Sequence, residues 1–291
     1  MAIYTDDDFG NNGVAALGDA LQVVGTTIIY KANLDPAITI DGITSILTDL
    51  TLLESRVYIV HVSPDVGRML FTMAEQLQMI TTGYVWIVTE AMSYVMNDLT
   101  NDSSFLTSLQ GVIGTRSYIP STPQLQAYIT GWEKLYANDK SVGATQMNNV
   151  YALYAYDAVW LVAHALRNFL AAGGNTTFVA PPVYPADAGG NSELAKLNVL
   201  ADGLTLLNAI RAYNFTGITG YIQLDQYGDP VNKSFDIVNM VGNGLRVVGY
   251  WSNATGIVSS ASVLDDASSL AVSPSASNSS NSSTTSTVSF L

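Results

Sequence analysis

The chain contains no cysteine among its 291 residues. Disulfides, thiolate metal sites and a cysteine nucleophile are therefore excluded. Positive charge is scarce: 11 Lys and Arg stand against 24 Asp and Glu, a net charge of −13. Without a basic cluster, the sequence argues against a nucleic-acid partner. It also offers no polybasic patch for an anionic membrane surface. The two histidines, His61 and His164, lie far apart and have no metal-ligand spacing. No uninterrupted apolar run of about 18 residues occurs. The best candidate, residues 151–172, is broken by Asp157, His164, Arg167 and Asn168, so direct membrane insertion is not expected. The first residues, MAIYTDDD, show neither a charged leader nor an apolar core, so no signal peptide is expected. G-x-S-x-G, H-E-x-x-H, P-loop and EF-hand patterns are missing. An enzyme, a cofactor and a bound metal are accordingly not expected.

What is present points to a folded α/β chain. Hydrophobic residues make up 48% and charged residues 12%, enough apolar material for a real core. The length fits one large or two small domains. Residues 2–4, 27–31, 57–62, 84–88 and 111–115 read as strands. Between them run helical stripes: Val14, Leu17, Leu21 and Val24; Ile43, Ile46, Leu47, Leu50 and Leu53; Val66, Met69, Leu70, Met73 and Leu77. Asp41 is placed to cap the second helix, and a short helix is expected over 92–99. Strict alternation of strand and helix implies a parallel sheet with helices on both faces. Ligands of such sheets bind outside the carboxyl ends of the strands. That rule nominates Asp6 to Phe9, Lys31, Ser63, Thr89 and Glu90.

From residue 122 the pattern turns helical, over 123–136, 151–169 and 193–212. A proline- and glycine-rich loop, 173–190, precedes the last of these. Asp157, His164 and Asn168 share a polar stripe on the second helix. The segments GYIQLDQYGDP and SFDIVNMVGNGLRVVGYW read as strands, with turns at 227–230 and 242–244. The Ser- and Asn-rich tail is expected to be disordered. Asn-x-Ser/Thr sequons begin at Asn101, Asn175, Asn214, Asn232, Asn253, Asn278 and Asn281, which suits a secreted chain.

Several residues carry more than one meaning. Asp6, Asp7 and Asp8 have the oxygen ligands of a hard-cation site. They equally form a solvated turn feeding a helix, with Asp8 or Asn11 near its N-terminus. Consecutive residues point in different directions, which favours the turn. The glycines of GNNGVAALG fall at Gly10, Gly13 and Gly18, not at G-x-G-x-x-G spacing, so phosphate binding is not expected. His61, at a strand end, is a cleft neighbour. His164 reads as an ordinary helix residue. Glu90 follows a buried-looking strand. It is suited both to receiving an ammonium group and to favouring the next helix start, and the residues alone leave both open.

Five segments occur in order: IYTDDDFGNNGVAALGDAL, RVYIVHVSPDVGRMLFTMAEQLQM, GYVWIVTE, YALYAYDAVWLVAHAL and NFTGITGYIQLDQYGDPVNKSFDIVNMVGNGLRVVGYWSNATG. Together, over residues 1 to about 255, they resemble the amino-terminal ligand-binding region of plant glutamate receptor-like channels. The resemblance implies a bilobed, type I periplasmic-binding-protein-like α/β fold that traps ligand between lobes joined by three chain crossings. It implies an amino acid or similar small molecule as ligand, other receptor subunits as partners, and the extracellular face of a membrane as location. It assigns Phe9 to the aromatic that packs on an amino-acid ligand, usually Tyr in amino-acid-binding relatives. It assigns Glu90 to the acid that takes the α-ammonium group, and Ser63 to the cleft wall.

Against that family, residues 1–113 correspond to lobe 2, 114–215 to part of lobe 1, and 216–255 to returning lobe 2 strands. Residues 256–291 form the tail. The chain reads as a fragment without the pore and without the first part of lobe 1. It is therefore expected not to bind a free amino acid tightly, and to leave apolar helix faces exposed. A stand-alone amino-acid-binding protein, a non-binding subunit-interaction module and a metal-dependent enzyme are the alternatives weighed.

Overall fold

The computed structural model of the chain describes residues 1–98, 103–138, 150–180, 197–231, 233–242 and 244–259. Its first half alternates as the sequence requires: β1 (Ala2–Thr5), α1 (Asp8–Val23), β2 (Lys31–Leu34), α2 (Ile40–Thr51), β3 (Val57–His61), α3 (Pro64–Gln76), β4 (Val85–Val88), α4 (Glu90–Asp98), α5 (Ser103–Ser108) and β5 (Ile113–Ser117). A helical unit follows, with α6 (Pro123–Asn138), α7 (Val150–Ala171), β6 (Phe178–Val179), β7 (Val199–Leu200), α8 (Gly203–Ala212), β8 (Phe215–Gly217) and β9 (Gly220–Ile222). The chain then returns as β10 (Ser234–Val241), β11 (Gly244–Ser252) and β12 (Gly256–Ser259).

The central sheet runs β12-β11-β10-β5-β4-β3-β1-β2. Pairing is parallel from β2 through β5 and antiparallel from β5 to β12. It is a mostly parallel sheet flanked by helices, consistent with a periplasmic-binding-protein-like fold. The order reverses between β1 and β3, the position at whose carboxyl edge ligands of such sheets bind. The core sits between sheet and helices. Ile3, Leu34, Val60 and Val88 from the strands meet Leu47, Leu70, Phe71 and Met92 from the helices. Tyr58 stacks on Trp86 at 4.4 Å, and the indole N–H donates to the Met79 carbonyl at 2.8 Å. At the antiparallel joint Arg116 pairs with Asp236 across the strands at 3.2 Å. The helical unit has a smaller core of its own, built on Leu125, Leu153 and Ile218.

Several expectations need correction. The second strand is Lys31–Leu34, not 27–31. Ile29 and Tyr30 stay exposed, while Ala32 and Leu34 alternate into the core. Lys31 pairs with Ala2, at the amino end of the sheet, so it lies away from the carboxyl edge. Thr39, not Asp41, caps α2, its hydroxyl accepting from the Gly42 N–H at 3.3 Å. Asp41 instead adds a carboxylate to the first turn. The helix expected over 193–212 begins at Gly203. Residues 199–200 pair with β6, and the Asp202 carboxylate accepts from the Asn175 N–H at 2.8 Å. Residues 193–196 lie outside the described residues. β6 occupies part of the expected loop, and its stretch 181–190 is likewise outside them. The short helix starts at Glu90 rather than 92, and α5 follows where no element was expected.

The first residues assigned to the tail are not disordered. Gly256–Ser259 joins the sheet edge against Gly249–Ser252, because those strand-edge groups need partners. Residues 260–291 are outside the described residues. On α7 Asp157 departs from the expected polar stripe, while Asn168 stays exposed and His164 is half-buried. Asp157 is 2% exposed, in line with buried Leu153, Leu161 and Ala165. Val159 and Val162 face outward at 69% and 45% exposure.

Candidate functional site

The site begins with the turn after β1. Asp7, not Asp8 or Asn11, caps α1. Its carboxylate accepts from the Gly10 N–H at 2.7 Å, satisfying an otherwise unpaired first-turn donor. Asp6 accepts from the side-chain amides of Asn11 at 3.1 Å and Asn33 at 3.3 Å. The aspartates thus serve the turn and its neighbours. Among the described residues no group of three His, Asp or Glu side chains is arranged to hold a metal ion.

With the turn fixed, Phe9 lies at the β1/β3 reversal. Its ring stacks on His61 with centroids 4.0 Å apart. The His61 Nε2 is 3.1 Å from the Phe9 carbonyl, and Nδ1 is 2.9 Å from the Thr89 hydroxyl. Gly13 makes room for this imidazole, since a Cβ there would collide with it. Ser63 ends the β3 connection at the N-cap position of α3, although its hydroxyl does not cap that helix. Pro64 begins α3 without needing a donor partner.

Glu90 is the first residue of α4, at the end of β4. Its Oε1 accepts from the Ser117 N–H at 3.0 Å, from the Ser117 hydroxyl, and from the Tyr94 hydroxyl at 3.2 Å. These bonds tie the ends of β4 and β5 together. The neighbouring phenols ionise less readily than a free tyrosine, through burial first. Tyr94 is pushed far above the ordinary tyrosine range, by burial first and then by the charge of Glu90. Tyr154 and Tyr151 move the same way, again chiefly through burial.

Glu90 also lines a cleft of about 590 Å³ between the sheet's carboxyl edge and the helical unit. Its walls include Tyr118, Tyr154, Phe235 and Tyr250, with Lys233 where β10 begins. Below them Asp157 anchors the β8–β9 turn. Its two oxygens accept from the Ile218 N–H at 3.0 Å, the Thr219 N–H at 2.8 Å and the Thr219 hydroxyl at 2.6 Å.

Of the residues nominated by sequence, Glu90 lines this cleft. Phe9 and Ser63 sit on the same sheet edge, nearer the β1/β3 reversal, and are not among its lining residues. Ser117, Tyr94, Asp157 and Lys233 were not nominated. Two local signals existed. Ser117 ends β5, so the carboxyl-edge rule reaches it once the strand is placed. Tyr94 stands four residues after Glu90, on the same helix face. His164, an ordinary helix residue by sequence, is stacked between Trp160 and Tyr213, with ring centroids 5.4 and 5.2 Å away.

A parallel sheet that reverses at β1/β3 gathers polar groups along its carboxyl edge, where ligands of such sheets bind. The sequence model described as "Receptor family ligand binding region" matches residues 1–243, and the chain belongs to that family. It is 38% identical over 258 residues to Glutamate receptor 3.4 of Arabidopsis thaliana, covering 88% of this chain and 26% of that protein. It is 36% identical over 256 residues to Glutamate receptor 3.1 of Oryza sativa subsp. japonica, covering 88% and 27%. Glutamate receptor 2.7 of Arabidopsis thaliana is 31% identical over 265 residues, covering 90% and 26%. The chain spans about a quarter of the length of these curated relatives. Their names are those of receptors, not of enzymes. Among the described residues no helix is long and apolar enough to cross a membrane.

Proposed function

We propose that this chain is the extracellular ligand-binding region of a glutamate receptor-like, ligand-gated ion channel. Its cleft takes an amino acid or a similar small molecule, and other receptor subunits are its protein partners. Residues 1–113 with 216–255 form one lobe, and 114–215 belong to a second. Glu90 receives the ligand's ammonium group, while Phe9, with its aromatic face, and Ser63 are proposed as ligand-facing residues further along the same sheet edge, outside the lining of that cleft. One observation carries the reading. Glu90 is held on one oxygen by Ser117 and Tyr94 while its side chain lines the cleft. A carboxylate fixed in this way is pre-organised for a charge-assisted bond.

The test is an NMR titration of the isotope-labelled chain with a panel of L-amino acids, a method suited to weak binding. Shifts should gather on residues around Glu90, and Glu90→Gln should weaken them roughly tenfold, as loss of one charge-assisted contact does. A panel in which no amino acid perturbs the cleft would sink the proposal.

A further inference from the structure

The cleft's charges and walls say more about the ligand than the names of the relatives do. Resting on the amino-acid reading above, we infer that Lys233 pairs with the ligand's α-carboxylate and that the preferred side chain is large and apolar or aromatic, not acidic. Three charged side chains occur among the described lining residues: Glu90, Asp157 and Lys233. Asp157 is 2% exposed and spends both oxygens on the β8–β9 turn. That leaves one anion and one cation for the ligand, the set that a zwitterion needs. A glutamate or aspartate ligand brings a second carboxylate, and the described lining has no second cation to meet it.

The rest of the wall is aromatic. Tyr118 and Tyr250 meet edge to face at 5.3 Å, and Tyr154 and Phe235 complete the wall. Rings arranged like this favour an apolar or aromatic guest over an anionic one. At about 590 Å³ the cleft is larger than an α-amino and α-carboxyl group alone can fill. The chain's net charge of −13 further disfavours an anionic ligand. Lys233 is exposed and close enough to Asp225 to help hold that carboxyl below its usual range. It is thus a rim cation, and its share of the affinity is modest.

The test uses four probes: L-phenylalanine, phenethylamine, L-leucine and L-glutamate. Each is titrated by NMR into the wild-type chain, Lys233→Met and Glu90→Gln. Phenylalanine and leucine should bind more tightly than glutamate. Lys233→Met should weaken phenylalanine by roughly fivefold, the size of an exposed charge pair. It should leave phenethylamine, which lacks the carboxylate, unchanged. Glu90→Gln should weaken phenylalanine and phenethylamine alike. Glutamate binding as tightly as phenylalanine overturns the inference. So does Lys233→Met weakening both aromatic probes equally. If no probe perturbs the cleft, the amino-acid reading itself fails. The wild-type ranking needs no variant, so it stands even where a substitution harms folding.

Discussion

Asp157 shows how a single carboxylate can hold a whole turn. It satisfies three donors of the β8–β9 turn from inside the protein. Removing it strands the buried Ile218 N–H and the part-buried Thr219 N–H. Asp157→Ala should therefore lower stability by about 3 kcal/mol, read from denaturant melts. Asp157→Asn should recover little, because an amide NH2 then faces N–H donors. Tyr94 gives a second prediction at this scale. An unperturbed tyrosine ionises near 10.0, and burial and Glu90 raise Tyr94 above that. Folding thus favours the neutral phenol. Its contribution to stability is complete below pH 10.0 and is lost as pH rises from there through the folded value. Tyrosine ring carbons followed by NMR should show Tyr94 titrating late, and earlier in Glu90→Gln. Glu90 was legible as a cleft residue from its place after a buried strand. Its lock on Ser117 was not, since that contact spans 27 residues and depends on β4 lying beside β5.

Among the elements, α1 records its packing in its glycines. A Cβ on Gly10 would run into the Thr5 backbone carbonyl, which cannot step aside, whereas one on Gly18 meets nothing within 4 Å. Gly10→Ala should cost about 2 kcal/mol. Gly18→Ala should add about 0.5–1 kcal/mol by helix propensity. Thermal melts of the two variants should move in opposite directions. The helix α7 makes the complementary point. Its apolar composition predicted a helix correctly, but composition alone does not say which side is covered. Burial follows Leu153, Asp157, Leu161, Ala165 and Phe169, a line four residues apart. Val159 and Val162 remain outside it. The purified chain should bind a hydrophobic dye, and Val159→Ser with Val162→Ser should reduce that signal without unfolding the chain. The parallel strands were readable because alternation forces them. Short strands such as β6, β7 and β12 were not, since their pairing rather than their composition defines them.

For the whole molecule, the same reading ties exposure to location. The described sequon residues Asn175, Asn214 and Asn253 are all exposed. If the proposed extracellular location holds, expression through a secretory pathway should yield glycans at these positions, removable by an endoglycosidase with a loss of mass. Changing Asn214 to Gln should remove one such step. The fold class was readable from the order of elements alone. The helical unit's placement was not, because it rests on contacts distant in sequence, such as Tyr94 of α4 against Tyr151 of α7 with ring centroids 5.8 Å apart.

The chain leaves the sheet after β5 and re-enters it at β10, and these strands are neighbours. The Tyr118 N–H donates to the Ser234 carbonyl at 2.9 Å where the two paths part. The helical unit is therefore attached by two adjacent threads, as a gate hangs on closely set pins. Any turn of that unit relative to the sheet must twist this pair of strand ends. Ser117, Tyr118, Lys233 and Ser234 stand at the pins, and all four line the cleft. A guest in the cleft would touch the axle itself.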